Sequence, residues 1–170
     1  DLVATAVRLR LRGTVNRLIY SVAMLAPATE ADPTQPDDSL WNRRLVFSFD
    51  GGVGIGHHQG TTSTGSMLPA DLLGQGYGVM WSSGTRTSTH YDLQVGGETA
   101  LMVKEHTIEA HGVPDYTVAV GGSGGAIQQY VYAQNHPRLI DAAIAQYSYP
   151  DMVTQTIHVG DCELLEHYFD

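Results

Sequence analysis

The sequence predicts an α/β fold: a mainly parallel sheet entered through an antiparallel hairpin. Three observations carry that expectation. Short β-forming runs, "RRLVFSFD" (43–50), "YTVAV" (116–120) and "LIDAAIAQYS" (139–148), are interleaved with helix-patterned stretches, so the connections must cross over and the strands run parallel. Near the start, "VRLRLRG" (7–13) and "VNRLIYSVAML" (15–25) read as two strands joined across Gly13–Thr14. The length, 170 residues, suits one domain with a real core rather than two, so no internal boundary is expected.

The elements follow in order. In the first strand Val7, Leu9 and Leu11 alternate with Arg8, Arg10 and Arg12, which predicts one apolar and one wet face. "APATEADPTQPDDS" (26–39), rich in Pro, Asp and Thr, is a surface loop. The apolar run 43–50 is stopped by "GGVGIG" (51–56). "PADLLGQGYGVMWSSG" (69–84) reads as a helical turn, a glycine break and a buried strand over Gly78–Ser82, and "SGTRTSTHYDLQVGG" (83–97) as loop. "ETALMVKEHTIEAHGVP" (98–114) carries the strongest helical pattern. Ala100, Val103, Thr107 and Ala110 form one stripe with Leu101 and Ile108 beside it; Gly112 suits the C-cap and Pro114 forbids continuation. "GAIQQYVYAQNHP" (125–137) predicts a helix with Ile127, Tyr130 and Val131 inward, and 139–148 another buried strand. The last twenty residues are ambiguous, with helical character in "CELLEHYF" (162–169).

Charge and composition exclude some functions. The net charge is −9, from 18 acids against 9 bases, and Lys104 is the sole lysine. Nucleic acid, which demands a basic surface, is not an expected partner. No apolar run has the length of a membrane span. The single cysteine, Cys162, forms no disulfide within the chain and reads as a buried thiol, unless secretion gives it a partner elsewhere. A metal site is poorly supported: "HTIEAH" sets His106 and His111 five apart, off the i, i+4 face a zinc helix uses, so both read as surface residues near a helix C-terminus. Neither "GGVGIGHH" (51–58) nor "GGSGGAIQ" (121–128) completes a nucleotide fingerprint. No cofactor is expected.

The chemistry concentrates at "VAVGGSGGAIQQY" (118–130). Gly121-Gly122-Ser123-Gly124-Gly125 satisfies G-x-S-x-G, follows a predicted strand and opens a predicted helix, as a nucleophile elbow requires. A serine hydroxyl needs a base and a position clear of the sheet to attack a carbonyl. A sharp strand-to-helix turn supplies that position, at a backbone cost that flanking glycines make tolerable. The helix then aims its N-terminal amides where negative charge develops. A second glycine loop, residues 51–54, follows another predicted strand about 70 residues earlier. It fits the second half of an oxyanion hole, with the Gly52 and Gly124 amides as donors. His57 and His58, in the same loop, are candidates for contacting substrate. Trp81, Tyr147, Tyr149 and Tyr168 are candidates for an aromatic pocket or for core packing.

These blocks, with "GTVNRLIYSVAML" (13–25), "WNRRLVFSFDGGVGIGHHQG" (41–60), residues 98–137 and "SYPDM…DC" (148–162), resemble a family of large, generally secreted bacterial α/β-hydrolase-like proteins. In its core that family is similar to tannase and feruloyl esterase enzymes and to polyhydroxybutyrate depolymerases. The resemblance runs over most of residues 12–170 and is most specific around Ser123. It implies an α/β-hydrolase-like fold, incomplete in this chain, with residues 1–170 as the N-terminal part of the core domain. It also implies a carboxylic-ester hydrolase with Ser123 as nucleophile, the Gly51–Gly54 loop in the oxyanion pocket, and a secreted or periplasmic location. One departure is plain: tannase-type enzymes place a cysteine directly before the serine, and Gly122 stands there.

In this fold the triad runs Ser, acid, His along the chain. His136 falls on the elbow helix, too early; His158 and His167 follow too closely on the last strand. Asp151 suits an acid on an alternative strand. The expected arrangement places acid and histidine in a complementary C-terminal segment beyond residue 170, acting on a small-molecule or polymeric ester. The competing reading is a non-catalytic α/β-hydrolase-like domain kept for binding or assembly.

Overall fold

The computed structural model describes residues 5–30 and 36–169. Strand β1 (Thr5–Val15) pairs antiparallel with β2 (Leu18–Pro27). Strands β3 (Arg44–Asp50), β4 (Gly78–Arg86), β5 (Tyr116–Gly122) and β6 (Ala142–Gln146) follow, giving one six-stranded sheet in the order β1-β2-β4-β3-β5-β6. β2 meets β4 antiparallel, while β4-β3-β5-β6 are mutually parallel. The expected architecture is therefore present, hairpin included.

Helices cover both faces. α3 (Leu93–His111) and α4 (Gly124–Asn135) pack on one face, over a core that includes Val22, Met24, Leu45, Phe47, Phe49, Met80, Val103 and Tyr132. Short α1 (Thr64–Met67) and α2 (Ala70–Gly74) lie across the other, where Leu73 packs against Ala23 and Val79. Phe47 and Phe49 stack at 4.7 Å between ring centroids, and Phe49 meets Tyr132 at 5.5 Å. This places β3 and α4, the two elements nearest the expected chemistry, on one packed aromatic cluster.

Several local expectations are corrected. The hairpin turns at Asn16–Arg17, both at positive φ (48° and 67°), and Gly13 and Thr14 stay inside β1. A two-residue loop needs that left-handed geometry to match the strand twist. Arg10 is not on a wet face: its side chain is 4% exposed and pairs with Glu30. The faces of Val7 and Leu9, and part of the loop at 31–35, lie outside the described residues. Residues 83–97 are not one loop. Ser83–Arg86 continue β4, and α3 starts at Leu93, capped by the Asp92 carboxylate, which accepts from the Gln94 and Val95 amides at 3.1 Å each.

On α3, Ala110 is exposed and Lys104 is buried; on α4, Tyr130 is exposed and Tyr132 buried. His111 is no surface residue: its side chain is 1% exposed, with Nδ1 2.7 Å from Asp38 Oδ2. His106 is half-buried against Tyr20. Gly112 ends α3 as expected, at φ 89°. β6 is exposed rather than buried, because only β5 flanks it among the described residues. α5 (Met152–Phe169) is helical and exposed wherever its side chains are described, and Cys162 on it is exposed, not a buried thiol.

Candidate functional site

β5 ends at Gly122 and α4 begins at Gly124, so one residue, Ser123, makes the whole turn. Its backbone sits at φ 56°, ψ −123°, a region non-glycine residues rarely occupy, and the residue is exposed. The Ser123 amide donates to Gln146 O at 3.0 Å, tying the turn to the end of β6. Its carbonyl accepts from the Ala126 and Ile127 amides, at 2.9 and 3.2 Å. The side chain makes no cap hydrogen bond. The Gly124 and Gly125 amides occupy the first helical turn, where no intrahelical acceptor exists.

The glycines two residues to either side of Ser123 share one cause. A Cβ on Gly121 or on Gly125 would run into the Phe49 carbonyl of β3. The elbow lies flat against the neighbouring strand, and backbone cannot yield as a side-chain tip can. At Gly124 a Cβ would strike Thr87 Oγ1. At Gly122 it would come within 2.9 Å of Tyr147 Cδ2.

The loop after β3 arrives beside the serine. A Cβ on Gly51 would stand 2.6 Å from Gly122 O, 3.0 Å from Ser123 Cβ and 3.3 Å from Gly124 N. Thr87 holds this loop: its amide donates to Asp50 O at 3.1 Å and its hydroxyl to Gly52 O at 2.5 Å. Gly52 lies at φ 99°, which favours glycine. The structure thus brings together Ser123, Gly124 and the Gly51–Gly52 loop. Asp151 goes elsewhere: its carboxylate accepts from the Thr154 amide at 3.0 Å and caps α5, and the Thr154 hydrogen bonds hold it below the usual carboxylate range. His136 ends α4, and His158 and His167 ride on α5. Among the described residues no carboxylate or imidazole hydrogen-bonds the Ser123 hydroxyl, and no group of three or more His, Cys, Asp or Glu could hold a metal ion.

The supporting residues were not singled out from the sequence. Gln129 Nε2 donates to both Gly121 O and Gly125 O at 3.0 Å, bridging the two arms of the elbow. Gln128 Nε2 lies 3.2 Å from Asp50 O and from Thr85 O, joining α4 to the ends of β3 and β4. The Asp50 carboxylate accepts from Ser66 Oγ at 2.7 Å and Trp81 Nε1 at 2.8 Å. Trp81 is therefore core, not pocket. The sequence signal for them is two adjacent glutamines, 128 and 129, directly after the apolar Ile127.

Two cavities flank the loop. One, of about 500 Å³, takes its wall from His57, His58 and His90 among others. The second, of about 420 Å³, is lined by Val53, Tyr91 and Tyr149 and by residues of α5. Tyr91 and Tyr149 hydroxyls lie 3.2 Å apart, and burial, then that hydrogen bond, push Tyr91 up to about 12. Tyr147 and Tyr168 are 86% and 80% exposed, so of the four aromatic candidates only Tyr149 lines this cavity.

Comparison with solved structures agrees with this architecture. A siderophore hydrolase from Aspergillus fumigatus aligns with a TM-score of 0.51 at 18% identity, over 82% of this chain and 42% of its own. A tannin acyl hydrolase from Aspergillus niger aligns at 0.44 and 16% identity, over 84% of this chain and 31% of its own. An oligopeptidase B from Leishmania major gives 0.49 at 12% identity, over 83% and 20%. The chain thus spans less than half the length of each of these proteins. At 18% identity the likeness to the siderophore hydrolase is one of fold alone, and the fold is α/β-hydrolase-like. No curated protein matches the sequence. A family model does, along the entire chain: by its match over residues 1–170, this chain belongs to a tannase-like family of unknown function.

Proposed function

We propose that the protein is a serine hydrolase acting on ester bonds through an acyl-enzyme on Ser123. The observation that carries this reading is Ser123 itself, exposed at φ 56°, ψ −123° on a one-residue strand-to-helix turn. A structural turn of that strain would relax with glycine at the apex; a serine there is held for its hydroxyl. Membership of a tannase-like family supports ester chemistry.

In the proposed reaction Ser123 Oγ attacks the ester carbonyl carbon as its proton passes to a base. The carbonyl oxygen becomes an oxyanion received by the Gly124 amide at the start of α4 and by the Gly52 amide. Collapse expels the alcohol with the proton from the base, leaving an acyl-serine, and water repeats the sequence to release the acid. The histidine, and the acid that orients it, come from a complementary C-terminal segment of the same protein. Asp151, at the start of α5, is the alternative acid within this chain.

The test is labelling by a fluorophosphonate probe in the complete protein. Ser123 is expected to take the label and Ser123→Ala to lose it; equal labelling of both would overturn the assignment. The 170-residue chain alone is expected to hydrolyse activated esters at least about a thousandfold more slowly, since a nucleophile without its base retains only residual catalysis. One observation favours the second reading, a non-catalytic binding or assembly domain: among the described residues nothing basic contacts the Ser123 hydroxyl. Failure of the complete protein to label would select it.

A further inference from the structure

The wall of the 500 Å³ cavity includes His90, one ring nitrogen of which has no hydrogen-bond partner among the described residues. His90 is 4% exposed. Its Nδ1 accepts from the Asp92 amide at 3.2 Å, so in the neutral ring the proton sits on Nε2. Nε2 is buried and has no hydrogen-bond partner among the described residues. Leaving such a donor unpaired is unfavourable, a cost folding alone gives no reason to keep. Burial, the largest cause, lowers the ring's affinity for a second proton; Asp92 opposes this and His57 adds to it. His90 therefore offers one donor and wants an acceptor.

The rest of the wall says what kind. Leu18, 4% exposed, and Val95 are apolar. Arg17 brings the one permanent charge to the lining, from a turn where it sits at φ 67°, an unusual backbone for arginine. Its carbonyl accepts from Gln59 Nε2 at 3.0 Å, which ties the hairpin turn to the glycine loop bearing His57 and His58. Those two histidines are exposed beside Gly56, which sits at φ 89°. A planar cationic fork with a neutral donor and apolar walls fits a carboxylate on a compact apolar body. With one guanidinium and apolar walls, a monoanionic carboxylate leaves less charge uncompensated than a phosphate dianion.

We propose that this cavity binds a small carboxylate, with the anionic group between Arg17 and His90 Nε2–H and the apolar body against Leu18 and Val95. The proposal does not rest on the Ser123 chemistry and is tested apart from it. Benzoate, benzamide and inorganic phosphate are titrated into the complete protein carrying Ser123→Ala, with the histidine ring nitrogens followed by NMR. Benzoate is expected to move the His90 Nε2 resonance, and Arg17→Gln to weaken it by about tenfold or more. Benzamide, the uncharged isostere, is expected to bind at least about tenfold more weakly. Equal binding of the two, binding of phosphate alone, a His90 signal unmoved by benzoate, or indifference to Arg17→Gln would each overturn the proposal. Because Ser123 is already absent, none of these outcomes bears on the esterase reading.

Discussion

Gly125 shows how little space the elbow has. Its missing Cβ would collide with the Phe49 carbonyl, and Phe49 is fixed in the ladder of β3. Gly125→Ala should therefore destabilise by about 1–3 kcal/mol, as overpacking does, seen as a lower urea midpoint with an unchanged slope. A midpoint equal to that of the parent would mean the elbow does not press on β3. His90 permits a second prediction at this scale. Its proton affinity in the folded chain lies below the ordinary 6.5. The unfolded chain thus takes up the proton first as pH falls, and stability from the neutral ring is complete above 6.5 and lost in the window beneath it. The urea midpoint should decline between about pH 7 and pH 5, and His90→Gln should flatten that decline. An identical slope in the variant would count against it.

Among elements, α3 was half legible. Its C-terminal end followed from Gly112 and Pro114, but its N-terminal end contains Gly96 and Gly97, which argue against a helix taken alone. The packing explains them: a Cβ at Gly96 would meet the Tyr132 hydroxyl, and one at Gly97 the His136 ring of α4. Two helices approach closely there, and local propensity yields to that approach. A reading of 83–97 as loop gives Asp92 no role, whereas in the structure it caps α3. Asp92→Ala should cost about 1 kcal/mol, measured by thermal or urea unfolding; no loss would mean the cap is not used in solution. At the other end, Lys104 reaches from α3 to the carbonyls of Arg138 and Leu139, at 2.6 and 2.9 Å. Burial lowers its proton affinity, and Asp141 opposes that. Lys104→Ala strands both carbonyls in the turn before β6 and should cost about 1–3 kcal/mol. Lys104→Arg should recover part of that loss, which distinguishes lost hydrogen bonds from lost packing.

For the whole molecule, the sheet order places β3 between β4 and β5 at the centre, while α5 lies exposed. In the 170-residue chain, amide hydrogen exchange should be slowest in β3, β4 and β5 and fastest in α5. Comparable protection of α5 would mean that it packs more extensively than its exposure indicates. Among the described residues no helix is long and apolar enough to cross a membrane.

Strand-helix alternation, the leading hairpin and a serine framed by glycines are local patterns, written in residue order, and the sequence by itself determined them. What depends on distant residues meeting in space was decided only by the tertiary structure. The Phe49 carbonyl demands Gly121 and Gly125, Gln128 joins α4 to Asp50 and Thr85, and the turn at Asn16–Arg17 carries Arg17 to the cavity that His90 lines. Each joins segments far apart in the chain, and no window of sequence contains both partners. Side-chain periodicity reports which face an element buries; only the fold reports what that face, or the strained residue at its end, has been brought to meet.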